Sequence, residues 1–366
     1  MLRMLGALGG APRPADLDRL RASPRYRDGR FRLWRPGLSV PGAGAPDPAA
    51  ALHGWRGGPR RPWRRIPVVR TPPAGGAPGL RVTWLGHAST LVECAGGAVL
   101  LDPVFSRRCS PVPGVGPRRL HRPPRALRDL PALSAVVISH DHYDHLDMRT
   151  VRRLAAAQPV SFVVPLGVGA HLRRWGVPEA RVAELDWGER VRYGELTLTA
   201  VPAQHHSGRT PARNRTLWAG WVVAGAGHRV YHAGDTGYFP ELADLGAAHG
   251  PFDVTLLPVG GYDPMWPDAL LTPEQAVRAH RALGGRLLLP VRWATFPVGR
   301  HPWREPADRV VAAAARAGVP LAVPRPGEAV DPAQPPPMTP WWAPLRRAHH
   351  LPEAPLTRLL ADAAAA

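Results

Sequence analysis

His140, His142, Asp144 and His145, three imidazoles and a carboxylate, fall within six residues in the run Ser139-His140-Asp141-His142-Tyr143-Asp144-His145-Leu146-Asp147. They follow directly on the apolar stretch Ala135-Val136-Val137-Ile138, so the group leaves the end of a buried strand together. Zinc takes His nitrogen at about 2.0–2.1 Å and carboxylate oxygen at about 2.0–2.2 Å. A turn with this spacing aims alternate side chains at one point while the next pair serves a second, which suits two adjacent ions. The bland alternative is a solvated His-rich loop, and placement at a strand end argues against it. Cys94 and Cys109 are the only cysteines, too few for a disulfide scaffold or a Cys-rich zinc site, so His and carboxylates must hold any metal.

One loop cannot supply every ligand of a two-ion site. Further donors should end other apolar runs and converge on the same edge. Leu196–Val201 leads into Gln204-His205-His206, Val230–Tyr231 into His232-Ala233-Gly234-Asp235-Thr236-Gly237, and Leu287–Pro290 into Val291-Arg292-Trp293. Singly, a His after a strand is more often a satisfied polar residue, and Gly-Asp-Thr-Gly is as readily a turn. Their shared placement makes His205 and Asp235 candidate ligands.

The elements that must position these residues alternate between strands and helices. Short runs at Val82–Val92, Val99–Val104, Ala135–Ser139, Phe162–Pro165, Leu196–Val201, Leu217–Val223, Val230–Tyr231, Val254–Pro258 and Leu287–Pro290 read as strands. Thr272-Pro273-Glu274-Gln275 predicts a capped helix start with Pro at the first helical position, ending at Gly284-Gly285. A second helix is expected over about 306–317, closed by Gly318. Residues 1–79 are rich in Pro, Gly and Arg and are assigned no fold of their own; a single domain spans 80–324, and 325–366 forms a peripheral C-terminal tail with a short helix near its end. No internal repeat is evident.

With 366 residues, 45% of them hydrophobic, the chain can build one large core. The formal charge of +19 would ordinarily point to nucleic acid or an anionic membrane. Yet the chain has no lysine, and its arginines are spread among abundant Ala, Gly and Pro, the pattern of a solvated surface. No specific nucleic-acid partner is expected; the Arg-dense stretch 56–65, interleaved with Trp55 and Trp63, leaves peripheral membrane contact as a minor reading. No secretory signal or membrane span stands out, which makes the cytoplasm the expected location, and oligomeric state is not legible.

The order Leu85-Gly86-His87-Ala88, Leu101-Asp102-Pro103, His140–His145, Gln204-His205, Gly234-Asp235-Thr236-Gly237-Tyr238 and Arg292-Trp293-Ala294-Thr295-Phe296 resembles the metallo-β-lactamase-fold hydrolases. Within them it is most similar to bacterial relatives of the N-acyl-phosphatidylethanolamine-hydrolysing phospholipase D, with the ascorbate-6-phosphate lactonase branch more distant. The likeness runs from about Leu80 to Arg309. It implies an α/β, four-layer αββα sandwich with metals at one edge of two sheets. It also implies that His140, His142 and His205 bind a first Zn2+, that Asp144 and His145 bind a second, and that Asp235 bridges. Asp102 and His87 fall in the layer behind the ligands, and Asp102 matches an aspartate that orients the metal loop.

One departure bears on function. Where the family carries its last ligand, a His, this chain has Arg292, which stays protonated and cannot coordinate a metal. Three consequences are open: a one-zinc enzyme; an Arg292 that pairs with Asp144 or grips a substrate phosphate; or a metal-poor pseudoenzyme. His280 and His301 are weaker candidates for a substitute ligand. The leading expectation is a zinc hydrolase acting on a phosphodiester such as a phospholipid, with Asp144, Asp235 and Arg292 as catalytic groups. The alternatives are a lactonase or other ester hydrolase, and a binding protein. Nucleic-acid-processing members need a large insertion for which the stretch between Asp235 and Arg292 is too short. Tyr262 and Trp266, after the apolar strand at 254–258, are candidates to line a substrate pocket.

Overall fold

A computed structural model describes residues 6–35, 59–73, 79–264 and 266–345. Its centre is a pair of stacked sheets. Strands β3 (Arg81–Gly86), β4 (Ser89–Cys94), β5 (Gly97–Leu101), β6 (Ala135–Val137), β7 (Ser161–Pro165) and β8 (Val182–Leu185) form the first sheet in that order, with β15 (Ala329–Val330) beside β3. The second runs β14 (Gly285–Val291), β13 (Phe252–Pro258), β12 (His228–His232), β11 (Gly220–Gly225), β10 (Leu196–Val201) and β9 (Arg190–Tyr193). Both sheets are mixed: β5 to β8 are parallel and β3 to β5 antiparallel, while β12 to β14 are parallel and β9 to β12 antiparallel.

The period-2 alternation of the strands builds the layers. Val99, Leu101, Ala135 and Val137 face the second sheet, in one core with Leu198, Ala200, Trp221 and Leu256. Their neighbours Leu100, Val136 and Ile138 face outward onto Val151 and Leu154 of helix α2 (Met148–Ala157) and Leu172 of α3 (Gly169–Arg174). Across the molecule, α4 (Leu242–His249), α5 (Pro273–Ala282) and α6 (Glu305–Ala317) cover the other sheet through Ala276, Val277, Val310 and Val311. The result is the expected four-layer αββα sandwich. Helix α5 starts with the predicted reciprocal cap between Thr272 and Gln275, and Gly318 closes α6 in the left-handed conformation.

The flanking segments have structure that composition alone does not predict. Residues ahead of 80 form α1 (Pro14–Ala22) and the hairpin β1 (Tyr26–Arg27)–β2 (Arg30–Phe31), whose Leu20 and Phe31 pack with Leu166, Leu217 and Trp218. Beyond Pro324 the chain continues into the fold: β15 extends the first sheet and Trp342 is fully buried. The short helix expected near the C-terminal end, and the whole stretch 36–58 with Trp55 and Arg56, lie outside the described residues. Among the described residues, no helix is long and apolar enough to cross a membrane.

Candidate metal centre

Every sequence-predicted donor arrives at one edge of the sandwich because each follows the end of a strand. His87 sits in the β3–β4 turn, Asp102 follows β5, His140–His145 follow β6, His205 follows β10, Asp235 follows β12 and Arg292 follows β14. Four residues of these loops, His87, Asp102, Arg292 and Ala294, hold φ values of 54°, 41°, 65° and 52°, the left-handed region that side chains normally avoid. Such strain collects where surrounding structure imposes a functional geometry. Gly234 is needed here, because at its φ of 59° a Cβ would lie 2.5 Å from Cβ of Ser139. The loops are stitched together by Gln204, whose N–H donates to Thr236 Oγ1 at 2.9 Å and whose carbonyl accepts from Gly237 N–H at 2.8 Å.

Two donor clusters result. His140, His142, His205 and Asp235 form the first, and His87, Asp144 and His145 the second. In the first, His140 Nε2 lies 2.8 Å from His142 Nδ1 and 3.9 Å from Asp235 Oδ2. His205 Nε2 lies 3.4 Å from His142 Nδ1 and 3.6 Å from Asp235 Oδ2. A tetrahedral zinc with arms of about 2.05 Å separates its ligands by roughly 3.3 Å, so the four atoms already match the shell of one ion.

Hydrogen bonds behind the ligands fix the tautomers that coordination requires. His205 Nδ1–H donates to the Ala269 carbonyl at 2.7 Å, which leaves Nε2 with its lone pair toward the cluster. Ser139 Oγ donates to Asp102 at 2.6 Å and accepts from His140 Nδ1–H at 2.9 Å, again freeing Nε2. Asp102, completely buried, also accepts from Ser139 N–H at 2.6 Å, His145 Nδ1–H at 2.8 Å and His232 Nε2–H at 3.0 Å. The expected orienting aspartate thus grips the metal loop from both its oxygens.

The polar atoms left over test whether the residues fit an ion. Oδ2 of Asp235 is buried without a hydrogen-bond partner, and Oδ1 meets only the nitrogens of Arg292 and His145. Atoms of that kind are rare in folded proteins, and acceptors converging with imidazole nitrogens at ligand spacing fit a cation. Electrostatics agree. Burial pushes His140, His142 and His205 below the usual imidazole range, His205 to about 3, so they stay neutral and able to coordinate. Burial also opposes charge on His145, but Asp235, Asp144 and Asp102 outweigh it and raise this imidazole to about 10. The cluster of carboxylates therefore draws positive charge even from a histidine.

Arg292 supplies the rest of that charge. Its Nε lies 2.5 Å from Asp235 Oδ1 and its Nη2 3.2 Å from Asp144 Oδ2. His87 Nε2–H donates to the same Asp144 oxygen at 2.9 Å. Partial burial works against charge on Asp144, yet the charges of His145 and Arg292 and the His87 hydrogen bond hold it well below the usual carboxylate range.

Other expectations fall away from the cluster. The Tyr262 hydroxyl donates to Glu305 at 2.6 Å and its ring stacks on His301 at 4.5 Å, so it ties the loop after β13 to α6. Trp266 donates its indole N–H to the Gly261 carbonyl at 2.9 Å, a bond inside that loop. His301 accepts from Gly261 N–H at 2.8 Å, and His280 meets Thr255 in the core at 2.8 Å, so neither replaces the missing ligand.

Three residues that sequence reasoning passed over, Arg209, His171 and Trp175, hold the metal loop from outside. Buried Arg209 donates to the carbonyls of Asp141 and Leu146 at 2.7 and 2.8 Å and to Ala7 at 2.7 and 3.1 Å. Asp141 accepts from Gly208 N–H at 2.6 Å and from His171 Nε2–H at 3.3 Å, while His171 Nδ1 accepts from Gly10 N–H at 3.1 Å. Trp175 donates to the Gly6 carbonyl at 2.7 Å. The one sequence cue was Asp141 itself, an acidic residue inside the motif with no ligand role.

A β-lactamase superfamily domain model matches residues 98–293, which covers the loops after β5, β6, β10 and β12. The chain belongs to the metallo-β-lactamase-fold hydrolases. It is 49% identical over 354 residues to an uncharacterized protein of Mycobacterium tuberculosis, covering 93% of this chain and 94% of that one. It is 38% identical over 245 residues to N-acyl-phosphatidylethanolamine-hydrolyzing phospholipase D 1 of Caenorhabditis elegans, covering 63% of this chain and 69% of that protein. Among solved structures, the metallo hydrolase Igni18 of Ignicoccus hospitalis superposes with a TM-score of 0.52 at 25% identity over 69% of this chain and 97% of that one. CmlA, a diiron β-hydroxylase of Streptomyces venezuelae, shares the fold with a TM-score of 0.53 at 20% identity, over 70% of this chain and 54% of its own. Like other metallo-β-lactamase-fold hydrolases, this one gathers its His and Asp donors at the open edge of the sandwich.

Proposed function

We propose that the protein is a zinc-dependent phosphodiesterase of the N-acyl-phosphatidylethanolamine phospholipase D-like type. The observation that carries the reading is the convergent set His140, His142, His205 and Asp235, where the buried Oδ2 of Asp235 has no hydrogen-bond partner, beside a buried guanidinium. The phospholipase relative, at 38% identity, supports a phosphodiester over other esters. An ion held by these four residues would supply a Lewis acid and would bring the pKa of water down toward neutrality.

The chain's own groups do the remainder. His142, Tyr143 and Asp144 are the half-buried rim through which substrate reaches the otherwise buried donors. Asp144 stays ionised and is fixed by His87, so it orients the attacking water as a hydrogen-bond acceptor. Arg292, bonded to Asp144, holds its charge next to this rim, where the non-bridging phosphoryl oxygens would lie. Its fixed positive charge stabilises the negative charge that builds there during displacement. Trp63, 65% exposed among Arg61, Arg64 and Arg65, supports a peripheral contact with the anionic lipid surface that would present such a substrate.

The test is hydrolysis of N-acyl-phosphatidylethanolamine in mixed micelles by the zinc-reconstituted protein. Phosphatidate and N-acylethanolamine should appear together, and His140→Ala should lose ion and turnover alike. Turnover of lactones or nitrophenyl esters without phosphodiesters would move the assignment to an ester hydrolase. A zinc-loaded protein inert toward all three would be a binding protein. Iron in place of zinc after expression in metal-replete medium would overturn the metal assignment.

A further inference from the structure

We propose that the guanidinium of Arg292 is a built-in second cation: it occupies the place between Asp144 and Asp235, so this centre takes one metal ion and not two. The inference rests on the reading that the His140 cluster holds an ion, and deepens it.

The two oxygens of Asp235 face different partners. Oδ2 looks toward His140 and His205, at 3.9 and 3.6 Å, and belongs to the first cluster. Oδ1 looks away from it, 3.3 Å from His145 Nε2 and 2.5 Å from Arg292 Nε. The donors that remain for a second ion are Asp235 Oδ1, His145 Nε2 and Asp144. His87 cannot add to them, because its Nε2 carries the hydrogen given to Asp144. The guanidinium already touches both carboxylates. An ion near enough to coordinate Asp235 Oδ1 and Asp144 Oδ2 would have to sit in the volume that Nε and Nη2 hold.

Arg292 is locked there. Its Nη1 donates to the Gly260 carbonyl at 3.0 Å, and its own N–H donates to the His87 carbonyl at 2.9 Å. At Gly261, φ 83°, a Cβ would collide with Nη1, so the glycine leaves room that the guanidinium fills. Behind it Trp293 stacks on Trp84 at 5.6 Å and packs against Trp341 and Trp342 at 5.3 and 5.6 Å. A side chain held at this many points does not swing aside to admit an ion. Its charge also differs from a metal's in a useful way: it cannot be chelated, and it donates directional N–H bonds where an ion would take ligands.

Metal stoichiometry tests this without reference to turnover. Purified protein saturated with Zn2+ and freed of excess by gel filtration should carry one ion per chain, and Arg292→Lys should also carry one. Arg292→His, which removes the charge and adds a neutral donor at the same place, should carry two. A Co2+ titration followed by visible absorption should reach its end point at one equivalent for the wild type and two for the His variant. Two ions in the wild type would overturn the proposal while leaving the metal-hydrolase reading intact, as would a folded Arg292→His that stops at one. No ion in the wild type would bring down both. Should Arg292→His fail to fold, the wild-type Co2+ end point decides.

Discussion

Replacing Asp102 by Asn exchanges one carboxylate oxygen for an NH2 group at almost constant volume, and the hydrogen bonds around it determine the cost. The carboxylate accepts four of them, from Ser139 N–H, Ser139 Oγ, His145 and His232, in a site closed to water. An amide offers one acceptor atom. If its NH2 faces Ser139 N–H, two donors meet and one is left unpaired. If it faces the histidines, His145 must present Nδ1 as an acceptor and move its hydrogen to Nε2, the atom it offers to Asp235. Each unsatisfied buried group costs about 1–3 kcal/mol, so the substitution should cost ~2–5 kcal/mol. At roughly 2 °C per kcal/mol for a chain of this size, the melting temperature should fall by ~4–10 °C. Because Ser139 also orients His140, zinc affinity should weaken by ~10–100-fold, the usual effect of losing an outer partner. Zinc competition against a chromophoric chelator, beside thermal melts with and without metal, measures both. An Asp102→Asn protein with unchanged melting and zinc affinity within about twofold of wild type would refute the view that this carboxylate organises the loop.

The metal-free protein should be most stable near pH 6.5. Burial holds His205 near 3 and His87 near 4, so below an unfolded value of 6.5 the unfolded chain binds more protons and stability rises with pH. His145, raised to about 10 as its carboxylates outweigh burial, keeps its proton when folded, so between 6.5 and 10 stability declines again. Melts across pH 4 to 10 check this, and a monotonic rise to pH 9 would contradict it. Arg209→Met strands the carbonyls of Ala7, Asp141 and Leu146 and should destabilise by ~3–6 kcal/mol, seen as a lower urea midpoint. Gly237→Ala drives a methyl into the Asp268 carbonyl and should cost at least ~1–3 kcal/mol, again by urea titration. Trp63→Ala should weaken co-sedimentation with anionic phospholipid vesicles and leave hydrolysis of a soluble phosphodiester unchanged.

The donors of this centre were legible because ligand chemistry and strand period are both local. His140, His142, His205 and Asp235 are read from residue type and position after apolar runs, and Thr272 to Gln275 cap α5 through contacts three residues apart. What was hidden depends on distant partners. Helix α1 and the β1–β2 hairpin are held by Leu166, Leu217 and Trp218, which composition near residue 20 does not reveal. Strand β9, Arg190–Tyr193, alternates charged and apolar residues at a sheet edge and so lacks an apolar run. An aromatic after a strand, such as Tyr262, suits a pocket and a packing role equally in the sequence, and only the fold shows its hydroxyl on Glu305, 43 residues on. Arg292 could be seen to lose a ligand, but only the fold shows that it meets both Asp144 and Asp235.

The strap formed by residues 6–10 has a consequence for how the molecule is made. Gly6, Ala7 and Gly10 leave the ribosome early, yet their partners Trp175, Arg209 and His171 follow 169, 202 and 161 residues later. At about 5–20 residues per second the interval is roughly 10–40 s. Throughout that time the metal loop, once synthesised, lacks the clamp that joins it to the strap through Asp141 and Arg209. The clamp on the metal loop therefore closes only after Arg209 is made, and anything that holds residues 6–10 away from the body would leave the loop without it.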